Sequence, residues 1–322
     1  MPGRIVVARK YPPNVVARAR AEFDALVFDR PLSMPELFQA CRDHRAEAFL
    51  FSGGNGQRLD AANLAEVPAT VKIAATVSVG FDHIDVAACR ARGLIVTNTP
   101  EVLTGCTADT AFTLLLCAAR RFAEYHRIMH EQGGWKAIGG APLGIRVHGK
   151  RLGILGFGRI GQAVADRGRG FGMRILYHDV ARRIPEQERG AEYFTRLEDM
   201  LPHCDFLSVH ADFNPRTAKI INARTLGLLP KGAVFVNAAR GGLVDEEALY
   251  QALTSGQLAA AGLDVFQQEP EFDTRFAALP NVFLTPHAGS ATVETRDAMG
   301  FRALDNVAAV LAGRAPIDPL WR

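Results

Sequence analysis

The chain is poor in cysteine and carries no paired cysteine motif. Five cysteines occur in 322 residues, which is an odd number, and no two of them form a C-x-x-C pair. A disulfide scaffold uses even numbers of cysteines in a short chain, and a structural zinc site needs clustered cysteine or histidine ligands. We therefore expect reduced thiols, no metal site and a cytoplasmic location.

An excess of one charge and a long apolar run are also missing. The 37 Lys and Arg residues nearly balance 34 Asp and Glu residues, and no basic run exceeds two residues. This pattern argues against a nucleic-acid or membrane partner. The most apolar stretch, residues 111–119, is far shorter than the ~20 residues of a membrane span and predicts a buried helix. No cleavage site follows an apolar core at the N-terminus, so we expect no targeting segment.

What is present is an alternation of short apolar runs with helix-like segments, in two successive sets. Continuous apolar strands that alternate with helices indicate parallel sheets covered on both faces. The sequence therefore predicts an α/β protein with two doubly wound parallel-sheet domains. The predicted strands are residues 5–8, 25–28, 46–52, 71–79 and 94–97, and then 151–155, 174–178, 205–209, 233–237, 260–265 and 282–286.

Two long helix-like segments separate these sets. One spans residues 103–130 and the other spans residues 291–312, after the last predicted strand. A chain that leaves its first domain by one helix can return to it by another. We expect one domain built from residues 1–100 and 288–322, an inserted domain of residues 101–287, and a cleft at the two crossings.

A glycine-rich motif opens the inserted domain. Gly156, Gly158 and Gly161 fit G-x-G-x-x-G, directly after an apolar strand and before a helical segment. Asp179 stands at the end of the next strand, where a carboxylate can accept hydrogen bonds from a ribose. The motif predicts dinucleotide binding, and the carboxylate favours NAD(H) over NADP(H) because it repels a 2′-phosphate. We interpret Arg182 and Arg183 as solvated arginines rather than phosphate ligands.

Three further segments stand at strand ends of the same domain. Residues 236–242 supply Arg240, residues 262–270 supply Glu269 and residues 285–290 supply His287. Ligands of open parallel sheets bind outside the carboxyl ends of the strands. We expect this cation, carboxylate and imidazole to converge on one site.

With these motifs the chain resembles the D-isomer-specific 2-hydroxyacid dehydrogenase family, and it looks closest to the glyoxylate/hydroxypyruvate reductase branch. The resemblance implies a flavodoxin-like substrate domain and an inserted Rossmann NAD-binding domain. It covers nearly the whole chain through VSVGFDHIDVAACRARGLIVTNTP (77–100), TADTAFTLLL (107–116), HGKRLGILGFGRIG (148–161), NAARGGLVDEEAL (237–249), GLDVFQQEP (262–270) and TPHAGSAT (285–292).

The resemblance assigns roles position by position. The implied catalytic residues are Arg240, Glu269 and His287. The implied substrate contacts are Val79, Gly80, Arg240, His287 and Ser290. The implied cofactor contacts are Gly156, Gly158, Arg159, Ile160, Gly161, Asp179, His210, Ala238, Asp264 and Gly289. A homodimer formed through residues 103–130 is also implied.

The expected activity is NAD(H)-dependent interconversion of a small 2-keto acid and its D-2-hydroxy acid, with His287 as proton donor. Glyoxylate or hydroxypyruvate is the favoured substrate. Alternatives within the family are 3-phosphoglycerate, D-lactate or formate, and an NAD-sensing corepressor-like protein is the alternative outside catalysis. Glu269 argues against formate, because the formate branch of the family looks to have Gln rather than Glu paired with the histidine.

The chain departs from the family pattern at two places. Asp212 replaces a proline beside the expected adenine pocket, and only Trp135 remains of a tryptophan pair, with Ile138 at the second position. Two other groups have ordinary explanations. We interpret His126 and His130 as surface histidines of a helix rather than metal ligands, and the cysteines at positions 106 and 117 as packed thiols.

Overall fold

The computed structural model describes residues 2–53, 56–131 and 143–321, without the side chain of Glu131. The chain divides into two compact units, Met1–Leu103 with Ala291–Arg322, and Thr104–Ser290. The predicted crossings, after residues 100 and 287, lie slightly before those in the structure. None of the helices in the described ranges is long and apolar enough to cross a membrane.

The elements alternate along the chain. The strands are β1 (Arg4–Val7), β2 (Asp24–Val27), β3 (Ala48–Phe51), β4 (Ile73–Thr76), β5 (Ile95–Thr97), β6 (Arg151–Leu155), β7 (Arg174–His178), β8 (Glu192–Tyr193), β9 (Phe206–Val209), β10 (Ala233–Asn237), β11 (Leu258–Leu263) and β12 (Val282–Leu284). The helices are α1 (Pro13–Glu22), α2 (Met34–His44), α3 (Val86–Ala91), α4 (Thr104–Ala119), α5 (Phe122–Glu131), α6 (Arg159–Gly170), α7 (Pro185–Glu188), α8 (Leu197–Met200), α9 (Ala223–Gly227), α10 (Glu246–Thr254), α11 (Arg275–Ala278) and α12 (Val293–Leu311).

The first unit is a five-stranded parallel sheet in the order β2-β1-β3-β4-β5. This is the flavodoxin-like order, in which helices cover both faces and central strands are apolar throughout. β3 follows this rule, because all four of its residues are buried. Its rings Phe49 and Phe51 meet edge to face at 5.4 Å, and Phe38 of α2 packs on Phe49 at 6.4 Å.

The returning helix α12 completes the first unit by packing on α1. A side chain at Gly300 would bring its Cβ within 2.4 Å of Val15, so the small residue permits close approach of the two helices. Beside that contact, Asn14 donates a hydrogen bond to Asp297 at 2.7 Å, and Arg18 pairs with Asp305 at 2.5 Å. The last helix therefore belongs to the unit in which the chain begins, as the sequence predicts.

The second unit is a seven-stranded parallel sheet in the order β12-β11-β10-β9-β6-β7-β8. Counted from its own first strand, this is the Rossmann order 3-2-1-4-5-6 with one more strand at the edge. Two buried clusters cover its faces, one around Tyr177 and Phe157 and the other around Phe235 and Leu243. The predicted fold class, two doubly wound parallel-sheet domains, is confirmed.

The register of this sheet aligns the carboxyl ends of six strands. Leu155 pairs with His178 and Val209, Asn237 pairs with Val209 and Leu263, and Leu263 pairs with Leu284. These residues form one row across the sheet. The residue after each member of the row is Gly156, Asp179, His210, Ala238, Asp264 or Thr285, so most of the sequence motifs begin along one edge.

Two local predictions are wrong. The segment predicted as one long helix, residues 103–130, is two helices, because Arg121 adopts the left-handed conformation (φ 58°) between them. Arg121 then donates a hydrogen bond to the buried Glu124 at 2.7 Å, which stabilises the break. The short edge strand β8 is not among the predicted strands. The apolar stretch at residues 111–119 is the buried helix that was expected, within α4.

Candidate active site

The glycine-rich turn joins β6 to α6. Gly156 has φ 90°, and a Cβ there would lie 2.5 Å from the backbone nitrogen of Ala211. A Cβ at Gly161 would lie 2.2 Å from the carbonyl oxygen of Gly156, so both positions require glycine. Gly158 precedes α6, and no side chain of the described residues caps this helix. Its first N–H groups can therefore bind a pyrophosphate, which is what NAD(H) binding requires.

The other motif residues of this helix follow directly. Arg159, the first residue of α6, is exposed, and Ile160 is half-buried beside it. Both lie at the helix end that faces the carboxyl edge of the sheet. Their contact with a cofactor stays a prediction.

Asp179 lies against the same turn. Its Oδ2 accepts hydrogen bonds from the Phe157 N–H at 2.8 Å and from Arg183 at 2.7 Å, and its Oδ1 accepts one from the Val180 N–H at 2.7 Å. Both arginines after β7 are ion-paired, which the interpretation as solvated loop arginines did not include. Arg183 is bound to Asp179, and Arg182 forms a two-hydrogen-bond ion pair with the buried Glu188 at 2.8 and 3.1 Å.

His210 and Ala238 follow β9 and β10 on the same edge. The Nε2 atom of His210 lies 2.8 Å from the Ser208 hydroxyl, and burial lowers the pKa of His210 to about 4. This ring is therefore neutral near pH 7 and adds no charge to the site. Ala238 is buried. Asn237, just before it, donates to the carbonyl of Arg240 at 3.0 Å and accepts from the Ala239 N–H at 3.1 Å, which holds the turn that presents Arg240.

Asp264 follows β11 and organises the histidine turn. Its carboxylate accepts hydrogen bonds from the Thr285 hydroxyl (2.6 Å) and from the N–H groups of Ala288 (2.6 Å) and Gly289 (2.8 Å), and its carbonyl accepts one from the His287 N–H at 2.8 Å. These bonds hold His287 at φ 53°, a left-handed conformation that costs energy for a side chain of this size. Such strain is typical of functional sites.

The structure brings the predicted catalytic pair together. The Nδ1 atom of His287 lies 2.6 Å from Oε2 of Glu269, and Oε1 of Glu269 accepts a hydrogen bond from the Phe266 N–H at 2.9 Å. Burial acts to raise the pKa of Glu269, but the bond to His287, that N–H and the positive charge of Arg240 outweigh it and lower the pKa. Glu269 is thus a carboxylate that orients the imidazole through its Nδ1 atom.

Arg240 lies on the neighbouring turn. One of its guanidinium nitrogens donates to the carbonyl of Ala239 at 2.8 Å, and the next residue, Gly241, lies directly against the loop that carries Glu269. A Cβ at Gly241 would be 1.8 Å from the carbonyl carbon of Phe266. The sequence reasoning missed Asn237 and Gly241 as residues that build the site, although both stand inside the motif 237–249 that it singled out.

The remaining predicted contacts lie at the ends of the two units. Val79 and Gly80 follow β4 in the first unit, where their carbonyls accept hydrogen bonds from Asn98 and Ser78, both at 2.8 Å. Gly289 is buried and Ser290 half-buried at the end of the second unit. The structure describes the two units separately, so the substrate contacts of Val79, Gly80 and Ser290 stay predictions.

The structure also describes several other residues that the sequence analysis singled out. The rings of His126 and His130 lie 4.2 Å apart on α5, and the described part of the chain contains no cluster of three or more metal-ligand side chains. The carbonyl of Asp212 accepts hydrogen bonds from Thr217 and Asn214. The predictions for Trp135 and Ile138 lie outside the described residues.

Comparison with known proteins decides the family. Residues 112–289 match the family described as D-isomer specific 2-hydroxyacid dehydrogenase, NAD binding domain. The chain belongs to this family. The match lies entirely within the second unit, so the Rossmann unit is the family's NAD-binding domain.

Full-length relatives agree with this assignment. A glyoxylate reductase of Thermococcus kodakarensis is 42% identical over 321 residues, which is 97% of this chain and 94% of that protein. The crystal structure of a glyoxylate reductase from Paecilomyes thermophila has a TM-score of 0.90 at 30% identity and covers 100% and 99% of the two chains. An NADPH-dependent glyoxylate/hydroxypyruvate reductase from Sinorhizobium meliloti, in complex with NADP and malonate, has a TM-score of 0.88 at 35% identity over 100% and 97%. The prediction of a 2-hydroxyacid dehydrogenase is confirmed.

Proposed function

We propose that this 2-hydroxyacid dehydrogenase reduces glyoxylate or hydroxypyruvate to the corresponding 2-hydroxy acid. The hydrogen bond between His287 and Glu269, at 2.6 Å beside the Arg240 turn, carries the proposal. It pairs a proton-donating ring with a carboxylate that stabilises its charged form, and a cation that can bind a carboxylate stands on the adjoining loop. The names of the relatives point to the same small 2-keto acids.

The proposed mechanism assigns one task to each residue. When held at the glycine-rich turn of Gly156, Gly158 and Gly161, NADH would supply the hydride for the new C–H bond at C2. Protonated His287 donates its proton to the carbonyl oxygen, so that one hydride and one proton complete the hydroxy acid. Glu269 orients His287 and stabilises its positive charge before transfer. Arg240 binds the carboxylate of the substrate, and backbone N–H groups at Val79 and Gly80 bind it from the loop after β4.

A panel of 2-keto acids tests the proposal directly. Glyoxylate, hydroxypyruvate, pyruvate and 3-phosphohydroxypyruvate are each added with NADH, and loss of absorbance by the reduced coenzyme is followed. We expect glyoxylate or hydroxypyruvate to have the highest kcat/KM. A preference for one of the other two acids would replace the substrate assignment. Binding of NADH without turnover on any of them would favour the corepressor-like alternative.

For the coenzyme we propose NAD(H), with NADP(H) as the weaker alternative. Asp179 lies against the glycine-rich turn, where its carboxylate would bind ribose hydroxyls and repel a 2′-phosphate. Arg183, however, neutralises part of this carboxylate, and one relative is NADPH-dependent. We expect kcat/KM to favour NADH by ~10-fold, about 1.4 kcal/mol. Arg183→Gln should widen this preference. An equal or reversed preference in the wild-type protein would contradict the role of Asp179.

The assembly and location are also proposals. We propose a cytoplasmic homodimer with a small-molecule substrate and no nucleic-acid or membrane partner. The odd number of cysteines and the lack of a C-x-x-C pair support a reducing compartment. Light scattering during size-exclusion chromatography measures the mass directly. A monomer at micromolar concentration would contradict the dimer.

A further inference from the structure

Glu246, the first residue of α10, lies against the loop that carries Glu269. Its Oε1 atom accepts a hydrogen bond from the Gln267 N–H at 2.7 Å. The preceding N–H, that of Phe266, donates to Glu269 itself at 2.9 Å. Two successive N–H groups of one loop are therefore held by two carboxylates, one from α10 and one from the loop itself.

The same loop is fixed on its other side by backbone packing. Gly241 approaches Phe266 and Gln267 so closely that a Cβ would lie 2.3 Å or less from three of their backbone atoms. The Gln267 side chain also donates a hydrogen bond to the carbonyl of Val244. With these contacts in place, the Glu246 carboxylate completes the restraint on the backbone between β11 and Glu269.

Acidic residues lie near Glu246, and three of them are paired with two cations, Lys219 and Arg275. The neighbouring ion pairs are Asp245 with Lys219 at 3.3 Å, Glu247 with Arg275 at 2.7 Å, and Asp273 with Arg275 at 2.6 Å. Within the described ranges, no cation lies at ion-pair distance from Glu246. Its charge is therefore compensated less than those of its neighbours.

This placement is costly for a carboxylate. Burial raises the pKa of Glu246, and the negative charges of Asp273, Asp245 and Glu269 raise it further, against the opposing Gln267 N–H. Carboxylates whose pKa is shifted in this way cluster at functional sites.

We propose that Glu246 is a positioning residue for the reduction. Its carboxylate holds the Gln267 N–H so that Glu269 faces His287, and its negative charge adds to that of Glu269 in stabilising the protonated ring. Arg240 acts in the opposite direction from the neighbouring turn. This inference rests on the proposed function, in which protonated His287 is the acid.

Three variants separate these two effects. Glu246→Gln keeps an oxygen that can accept the Gln267 N–H but removes the charge, and Glu246→Ala removes both. Glu247→Gln is the matched control, because Glu247 is the next residue on α10, is exposed, and binds Arg275 and Gln251 instead of the loop. The readouts are kcat, KM, the Kd of NADH, thermal unfolding, and the titration of the His287 ring followed by NMR with ¹⁵N-labelled histidine.

We expect Glu246→Gln to keep its plateau kcat within about twofold, while the titration of the His287 ring and the pH dependence of reduction both move to lower pH. Glu247→Gln should move neither of them. Glu246→Ala should lose about tenfold in kcat with an unchanged Kd for NADH. An unmoved titration in Glu246→Gln, or unchanged kcat in a folded Glu246→Ala variant, would overturn the proposal. If Glu246→Ala does not fold, Glu246→Gln decides alone.

The NMR readout needs no turnover, so it separates this inference from the proposed function. A titration that moves in Glu246→Gln, in a protein that reduces no 2-keto acid, would support the coupling of Glu246 to His287 and contradict the substrate assignment. An active wild-type protein whose titration ignores Glu246→Gln would leave the reaction standing and remove the positioning role.

Discussion

Replacing Glu269 by glutamine tests the proton chemistry of the site, because it removes the charge and nearly keeps the shape. In the structure, Oε2 of Glu269 faces Nδ1 of His287 at 2.6 Å. A glutamine oxygen can accept the same N–H, so the ring keeps its orientation. What the variant loses is the attraction between a carboxylate and a protonated imidazole.

The size of that attraction follows from geometry and exposure. Two unit charges about 4 Å apart interact by about 4 kcal/mol at an effective dielectric constant of about 20. Here, however, the side chains of His287 and Glu269 are 49% and 35% exposed, so water screens the pair. Exposed ion pairs contribute up to about 1 kcal/mol, and hydrogen bonds to charged groups about 1.5–3 kcal/mol. We take about 1.4 kcal/mol, which corresponds to about one pH unit.

The direction of the change follows from the charge states. The pKa of Glu269 is lowered, so the carboxylate is ionised near neutral pH and stabilises the protonated ring there. Reduction needs the protonated ring, so its kcat/KM is highest at low pH and falls as pH rises. Oxidation needs the neutral ring and rises over the same range. In Glu269→Gln, the fall of kcat/KM for reduction and its rise for oxidation should both occur about one unit lower in pH.

The assay is kcat/KM against pH in both directions, for wild type, Glu269→Gln and the exposed control Glu247→Gln. His287→Ala should remove the shared limb together with nearly all turnover. Limbs that stay in place in Glu269→Gln would refute the partnership of the two residues. If the pH dependence shifted for reduction but not for oxidation, or the reverse, the titrating group would not be His287.

Three further outcomes follow from the same contacts. Arg240→Lys keeps the charge but loses the planar guanidinium that can bind a carboxylate with two hydrogen bonds, so kcat/KM should fall roughly 100-fold while NADH affinity stays unchanged. An equal loss of NADH affinity would mean that Arg240 supports the fold instead. Gly241→Ala should lower the free energy of unfolding by about 2 kcal/mol, measured with denaturant, because the new Cβ would meet the backbone of Phe266. An unaltered free energy of unfolding would contradict the close approach of the two backbones. A thiol reagent should leave Cys41, Cys89 and Cys204 unmodified until the protein unfolds, because burial raises their pKa values to about 12, 11 and 12. Rapid modification of any of the three in the native protein would contradict that burial.

Much of the fold could be predicted because parallel strands are buried on both faces. Their continuous apolar runs, such as the fully buried β3 and β10, are visible in the sequence without knowledge of their neighbours. Handedness and crossover rules then leave few arrangements for strands that alternate with helices. Because the paired register aligns Leu155, His178 and Val209, motifs that follow strand ends meet at one edge.

The details that escaped prediction depend on tertiary contacts. The break between α4 and α5 results from Arg121 in a left-handed conformation and from its bond to a buried Glu124, neither of which has a periodic signal. The bond between Arg183 and Asp179 depends on how the turn after β7 folds back. The bond from Gln267 to Glu246 joins a loop to the first residue of α10, which lies 21 positions earlier in the sequence. Spacing in the sequence indicates strands and turns, but it does not indicate which side chain a returning loop will meet.

Asp264 shows how one residue can serve the fold and the site together. An ionised carboxylate offers about four acceptor positions, and in this structure three of them bind Thr285, Ala288 and Gly289. The resemblance to the family assigns this residue a contact with the coenzyme amide, for which one acceptor position is left. The other three keep His287 in its strained conformation, so a change at Asp264 would displace the imidazole before it altered any bond to the coenzyme. A loss of activity at this position is therefore no evidence for a direct contact unless coenzyme binding and the pH profile are measured separately.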